Sequence, residues 1–299
     1  MNDFISIADI TRDDMLRLFD LARELKRDRT GRDDLAGKTV ALIFHKPSLR
    51  TRVSFEVGVY ELGGHPMYVT DAEIKMGQRE STYDIGKVLS RYVQGIMIRT
   101  FAHSNCTELA GAADVPVING LTDLTHPCQV MGDILTCIER GKDPESMVVA
   151  FIGDGNNVAN SWVNAAGNLP FELRIGGPSG YEPDERLLEN ARSKGATIKV
   201  LDDPVEAVTG ADAVYTDVWT SMGQESEKAE RDATFRAFQL NEELLGHAAP
   251  DAIALHCLPA HRGEEITDGV MDGPQSAVFD QAENRLHIQK AVMVTLMGS

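Results

Sequence analysis

The chain has 299 residues, 42% of them hydrophobic, and sets 29 Lys+Arg against 46 Asp+Glu for a formal charge of −17. That length exceeds what one hydrophobic core ordinarily fills, so two domains are expected. Three classes are disfavoured: no apolar run approaches the roughly eighteen residues of a membrane span, the acidic opening MNDFISIADITRDD is unlike a signal peptide, and a nucleic-acid partner would need a basic footprint.

The charge is uneven. Residues 1–140 hold 17 Lys+Arg against 20 Asp+Glu, the remainder 12 against 26, which permits a first half that handles an anion and a second half that tolerates a cation. The four cysteines, Cys106, Cys128, Cys137 and Cys257, show neither a CxxC pair nor zinc-ligand spacing. They read as reduced thiols in a cytoplasmic protein without a metal.

Thr11 has the character of a helix N-cap, followed by Met15, Leu18, Phe19, Ala22 and Leu25 at helical spacing. A strand, KTVALIF, leads through HKPSLRTR into a helix, VSFEVGVYELGG, closed by Gly63. Then come a strand HPMYVT, a helix TYDIGKVLSRYV capped by Ser81, a strand GIMIRTF, a helix around CTELAGAA, a short VPVING, and a helix from HPCQVMGDILTCIERG. The polar break GKDPES separates a second series of strands, MVVAFIGDGNN, FELRIGG, ATIKVLDD, DAVYTDVW and AIALHCLP, and QAENRLHIQKAVMVTLMG closes the chain as a helix. Short β-rich runs alternating with helical segments predict two α/β domains, each a mostly parallel sheet flanked by helices. The first covers residues 1–140 and the second residues 145–280. The charged stretch TSMGQESEKAERDATFRAF reads equally as a lid or as a solvated helix.

In open α/β sheets, ligands collect beyond the carboxyl ends of strands, where helix N-termini present amide N–H groups to anions. HKPSLRTR occupies such a place, and Ser48, Arg50 and Thr51 add hydroxyls and a guanidinium. The plain alternative leaves Arg50 and Arg52 as surface charges, but basic groups at a helix start oppose its dipole. Arg99 ends an apolar strand, where a charge needs compensation. His126, just before Pro127 at another helix start with Gln129 behind it, suits a neutral imidazole. Alone it would be a structural histidine; three such groups at three strand ends suggest a site.

In FIGDGNNVANSW, Gly153 and Gly155 are present but Val158 stands where a dinucleotide fingerprint needs its third glycine. A dehydrogenase is therefore disfavoured, and the tandem Asn156 and Asn157 would offer amides to a polar small molecule. Asp217, Ser221 and Met222 follow another strand, and the carboxylate could hold an ammonium. Cys257 ends a third; by default it is an inert buried thiol.

KPSLRTRVSFEVG, IRTF, HPCQ, DGNN, DVWTSMG, HCLPAHRGEE and ENRLH, in this order and nearly end to end, resemble the aspartate/ornithine carbamoyltransferase family. DVWTSMG together with HCLPAHRG is similar to the members that use ornithine. The resemblance implies a carbamoyl-phosphate domain, an ornithine domain, a last helix (281–299) returning to the first domain, and a homotrimer with shared active sites. The implied activity is carbamoyl transfer from carbamoyl phosphate to the δ-amine of L-ornithine, giving citrulline for arginine biosynthesis, with no cofactor. Another acceptor such as putrescine or an acylated ornithine is the alternative, and a non-catalytic binding protein is a more distant one.

The residues carried over for carbamoyl phosphate are Ser48, Leu49, Arg50, Thr51, Lys75, Arg99, His126, Gln129, Cys257, Leu258 and Arg285. Among them Arg99, His126, Thr51 and Cys257 are the expected catalytic groups. For ornithine they are Asn157, Asp217, Ser221 and Met222. Two positions depart from the family pattern: Leu49 replaces the usual threonine, and Lys75 stands where ornithine enzymes commonly carry glutamine, in a segment that in the family reaches a neighbouring subunit's site.

Overall fold

The computed structural model describes residues 1–29, 31–77 and 79–298, and these form two compact units. The first unit comprises Met1–Gly132 and the stretch from Asn284 onward, the second Asp133–Glu283.

The first unit opens with α1 (Arg12–Arg27), whose buried face is Met15, Leu18, Phe19, Ala22 and Leu25. Thr11 caps it in a reciprocal box: its side chain accepts from the Asp14 amide and Asp14 accepts from the Thr11 amide. There follow β1 (Thr39–Phe44), α2 (Leu49–Glu61), β2 (His65–Thr70), α3 (Asp71–Ile74), α4 (Thr82–Leu89), β3 (Gly95–Arg99), α5 (His103–Ala112), β4 (Val117–Leu121) and α6 (Pro127–Glu139). The strands pair in parallel in the order β2-β1-β3-β4. One sheet face packs on a cluster including Ala41, Ile43, Ile85, Ile96, Ile98 and Leu109.

Two boundaries differ from expectation. The helix anticipated from Val53 starts at Leu49, because the Ser48 side chain accepts from the Thr51 amide and so supplies the cap. The helix capped by Ser81 stops at Leu89 rather than running to Val93.

The second unit contains β5 (Val148–Ile152), α7 (Asn157–Ala166), β6 (Glu172–Gly176), α8 (Glu185–Ser193), β7 (Thr197–Leu201), α9 (Pro204–Val208), β8 (Ala213–Thr216), α10 (Lys228–Thr234), α11 (Glu242–Leu245), β9 (Ile253–His256) and α12 (Asp268–Met271). Its parallel sheet runs β7-β6-β5-β8-β9. The charged stretch after β8 therefore contains a short helix, α10, preceded by a loop.

The last helix, α13 (Val278–Met297), supplies the end of the first unit. There Lys290 Nζ donates to Glu61 Oε2 at 2.8 Å, and Lys26 Nζ to Asn284 Oδ1 at 2.8 Å. The last helix thus joins the first unit, as expected.

Both sheets reverse direction of growth once. In the first this happens between β1 and β3, in the second between β5 and β8. At such a switch point the loops from adjacent carboxyl ends diverge to opposite faces and leave a crevice. The loops at these two points carry KPSLRTR and IRTF in the first unit and DGNN and DVWTSMG in the second, while HPCQ follows β4, HCLPAHRGEE starts at the end of β9 and ENRLH lies within the last helix.

Candidate functional site

In the first unit, β1 and β3 end level, Phe44 paired with Arg99, and His45 N donates to the Arg99 carbonyl at 2.8 Å. Ser48 and Thr51 therefore start α2 directly beside Arg99. The Thr51 hydroxyl is a meeting point: Arg99 Nη1 donates to it from 3.4 Å, Arg285 Nη2 from 2.8 Å and Ser48 Oγ from 3.1 Å. Thr51, Arg99, His126, Gln129 and Arg285 are all buried.

His126 is set by the turn before it. Thr122 N donates to the Thr125 carbonyl, and Asn119 Nδ2 donates to Thr125 Oγ1 at 3.1 Å. Burial first, then the guanidinium charges of Arg285, Arg99 and Arg50, hold the His126 pKa well below 6.5. The imidazole is consequently neutral at physiological pH. A cluster of three guanidiniums, a helix N-terminus and a neutral histidine favours an anion that also carries a polar, uncharged acceptor.

Leu49 is 75% exposed, so its departure from threonine leaves the backbone N–H groups of the first α2 turn in place. Lys75 is exposed, has a left-handed backbone (φ +47°), and among the described residues makes no hydrogen bond or ion pair with this cluster. Lys46, unassigned from sequence, is buried, pairs with Asp123 and lies 4.4 Å from the Phe101 ring centre. Its charge stood inside the motif, but only the fold supplies its partner, 77 residues away.

In the second unit, Asp217 follows β8. Its Oδ1 accepts from Cys257 Sγ at 2.8 Å and from the Val218 amide at 2.8 Å; its Oδ2 accepts from Asn156 Nδ2 at 2.8 Å. Cys257 is thus bonded to a carboxylate rather than being an inert apolar filler. Asn156 also caps α7, accepting from the Val158 and Ala159 amides. Of the tandem asparagines, Asn156 is committed to the scaffold, and Asn157 opens the helix.

His256, at the end of β9, accepts from the Leu258 amide at Nδ1 (2.9 Å), so its proton lies on Nε2, which donates to Glu265 Oε1 at 3.0 Å. Leu258 is held in left-handed backbone (φ +59°). Atoms of Asp217, His256 and Cys257 lie within 4.8 Å of one another. The Ser221 amide donates to Gln224 Oε1 at 3.0 Å, while Met222 is 46% exposed. The two glycines of GDGNN serve different ends: Gly153 takes a positive φ (+132°), and Gly155 allows close packing. A Cβ on Gly155 would sit 2.3 Å from the Glu182 carbonyl carbon and 2.3 Å from Pro183 N, and Val158 is buried.

The contacts thus bring together Ser48, Arg50, Thr51, Arg99, His126 and Arg285 in the first unit, with Gln129 in the turn that follows His126, and Asp217 and Cys257 in the second, with Leu258 beside His256; Asn157, Ser221 and Met222 lie on the adjoining segments after β5 and β8. Lys75 stands apart from the first group. Sequence reasoning missed Glu265 and Arg231, which sit in charged stretches with no periodic signal.

Residues 2–139 match the family described as aspartate/ornithine carbamoyltransferase, carbamoyl-P binding domain, and residues 145–296 its Asp/Orn binding domain. The chain is 52% identical over 299 residues to the ornithine carbamoyltransferase of Syntrophotalea carbinolica, covering 99% of both. Among solved structures, ornithine carbamoyltransferase from Pyrococcus furiosus superposes with a TM-score of 0.94 at 45% identity, over 99% of this chain and 97% of that one. The enzyme from Thermus thermophilus gives 0.91 at 44% identity, over 99% of each. The chain belongs to the aspartate/ornithine carbamoyltransferase family.

Proposed function

We propose that this enzyme transfers the carbamoyl group of carbamoyl phosphate to the δ-amine of L-ornithine, releasing L-citrulline and phosphate. The observation that carries the reading is the Thr51 hydroxyl gripped by Arg99 and Arg285 beside a neutral His126. In this assignment Ser48, Leu49, Arg50 and Thr51 hold the phosphate through side chains and the first amides of α2. Gln129 and Arg285 complete the carbamoyl-phosphate contacts, with Cys257 and Leu258 beside the reacting centre. Asn157, Asp217, Ser221 and Met222 take the α-carboxylate and α-amine of ornithine.

As the neutral amine attacks the carbonyl carbon, negative charge grows on the carbonyl oxygen. Arg99, His126 and Thr51 donate to it; each such donor is worth ~3 kcal/mol of barrier. His126 serves better neutral, because a cation there would repel the neighbouring guanidiniums. Collapse expels phosphate, whose charge Arg50 and the α2 terminus stabilise. In this scheme the proton leaving the amine passes to Asp217, to Cys257 or to the departing phosphate. Closure of the Ser221–Met222 loop would desolvate the amine and lower its pKa.

The exposed Leu49, Val53 and Tyr60 on one stripe of α2 support a second copy covering that face; the family resemblance extends this to a homotrimer in which Lys75 reaches a neighbour's site. Among the described residues the cysteines form no disulfide, and no helix is long and apolar enough to cross a membrane; the former suits a cytoplasmic enzyme of arginine biosynthesis. The test is citrulline formation from ornithine and carbamoyl phosphate, with putrescine and an acylated ornithine alongside. Faster turnover of either rival amine would overturn the acceptor assignment.

A further inference from the structure

We infer that Arg231 is a positioning residue for the amino-acid half-site, holding the loop after β5 and the loop after β8 in register. It stands outside every motif that carries the resemblance. It is also the only buried residue of α10, so that helix docks through a charge and not through an apolar face.

Arg231 Nη1 donates to Asp154 Oδ2 at 3.0 Å and to the Trp219 carbonyl at 2.9 Å, and Nε donates to Glu227 Oε2 at 2.9 Å. Its guanidinium lies 5.1 Å from the Tyr181 ring centre, and Tyr181 packs edge-on to Phe235, whose ring stacks with Trp219. One planar cation therefore ties the segments around residues 154, 181, 219 and 227. Apolar burial is non-directional, whereas a guanidinium fork bonds only along fixed directions and so sets geometry.

What it fixes bears on the site. Asp154 lies two residues before Asn156, which donates to Asp217, and Trp219 lies two residues before Ser221. The links Asp154–Arg231–Trp219 and Asn156–Asp217 close a ring between the two loops. Burial pushes the Asp154 carboxyl up, and Arg231 counters this, so removing the cation leaves a buried acid poorly compensated. The inference rests on assigning Asn157, Asp217, Ser221 and Met222 to the amino acid.

The experiment is steady-state kinetics for both substrates on Arg231→Gln, Arg231→Lys and Asp154→Asn, with Asp217→Ala as control. Arg231→Gln and Asp154→Asn should raise KM for ornithine about tenfold, the factor that ~1.4 kcal/mol of lost positioning produces. KM for carbamoyl phosphate should stay within about twofold, since no link of the clamp belongs to the first unit. Arg231→Lys should fall between, because an ammonium satisfies Asp154 but not the carbonyl and Glu227 together. A purely structural role would lower specific activity and melting temperature with both KM values unchanged, and that result overturns the inference. If Arg231→Gln does not fold, Asp154→Asn breaks the same link with a neutral isostere and carries the test. If Asp217→Ala leaves the ornithine KM untouched, the half-site assignment fails and the inference falls with it; if only the Arg231 and Asp154 variants are silent, the inference alone fails.

Discussion

Replacing Arg285 with alanine separates function from stability in a way that other core substitutions would not. The guanidinium is buried, and its Nη2 shares the Thr51 hydroxyl with Arg99. Both nitrogens reach one oxygen, so they lie no more than about 6 Å apart, and at an effective dielectric of ~20 two unit charges at that distance repel by ~3 kcal/mol. Alanine relieves that repulsion but leaves a cavity and loses a hydrogen bond, together worth ~3 kcal/mol in the opposite direction. The two nearly cancel, and the melting temperature of the unliganded Arg285→Ala enzyme should shift by no more than a few degrees. Substrate binding loses a charge-assisted bond with no compensation. The kcat/KM for carbamoyl phosphate should fall about a hundredfold, as ~3 kcal/mol implies. Calorimetry with and without carbamoyl phosphate, alongside initial rates, reads both quantities: heat protection by the ligand should largely vanish. A kcat/KM within threefold of the parent, or a collapse of the unliganded melting temperature, would refute the reasoning.

The pH dependence of stability follows from His126, whose pKa is held well below 6.5 by burial and by three guanidiniums. As pH falls below 6.5 the unfolded chain takes up the proton first, so this contribution is complete above that pH and declines beneath it, by up to about 1.4 kcal/mol per pH unit. His45 and His103, also depressed by burial, act in the same direction. Melting temperatures at about pH 7.5 and 5.5 should converge in His126→Gln relative to the parent; equal slopes would contradict the account. Gly155→Ala forces a Cβ within 2.3 Å of the Glu182–Pro183 backbone, and should cost ~1–3 kcal/mol in denaturant titrations. Cys257→Ser keeps a donor to Asp217 while Cys257→Ala does not, so turnover should be higher in the serine variant; the reverse order would argue that the thiol acts by packing alone.

Much of the site was legible because its parts are contiguous. HKPSLRTR links the end of β1 to the start of α2, IRTF closes β3 and HPCQ opens α6, and the backbone geometry of each of these places is local. Parallel pairing then levels the strand ends, which places Thr51, Arg99 and His126 together. Apolar periodicity begins at Val53, four residues past the α2 start, because the helix is set by the Ser48 cap. The stretch after β8 was ambiguous because its helix buries only an arginine, and no hydrophobic period marks such a docking.

Local chemistry in the sequence by itself determined the two α/β series and pointed to an anion site in the first. Tertiary structure alone decided which distant groups complete each half. Arg285 reaches Thr51 across 234 residues, Arg231 reaches Asp154 across 77, and Cys257 reaches Asp217 across 40. The physical reason is that a side chain's pKa, partner and orientation depend on what the fold buries beside it, and burial is a property of packing rather than of sequence neighbours.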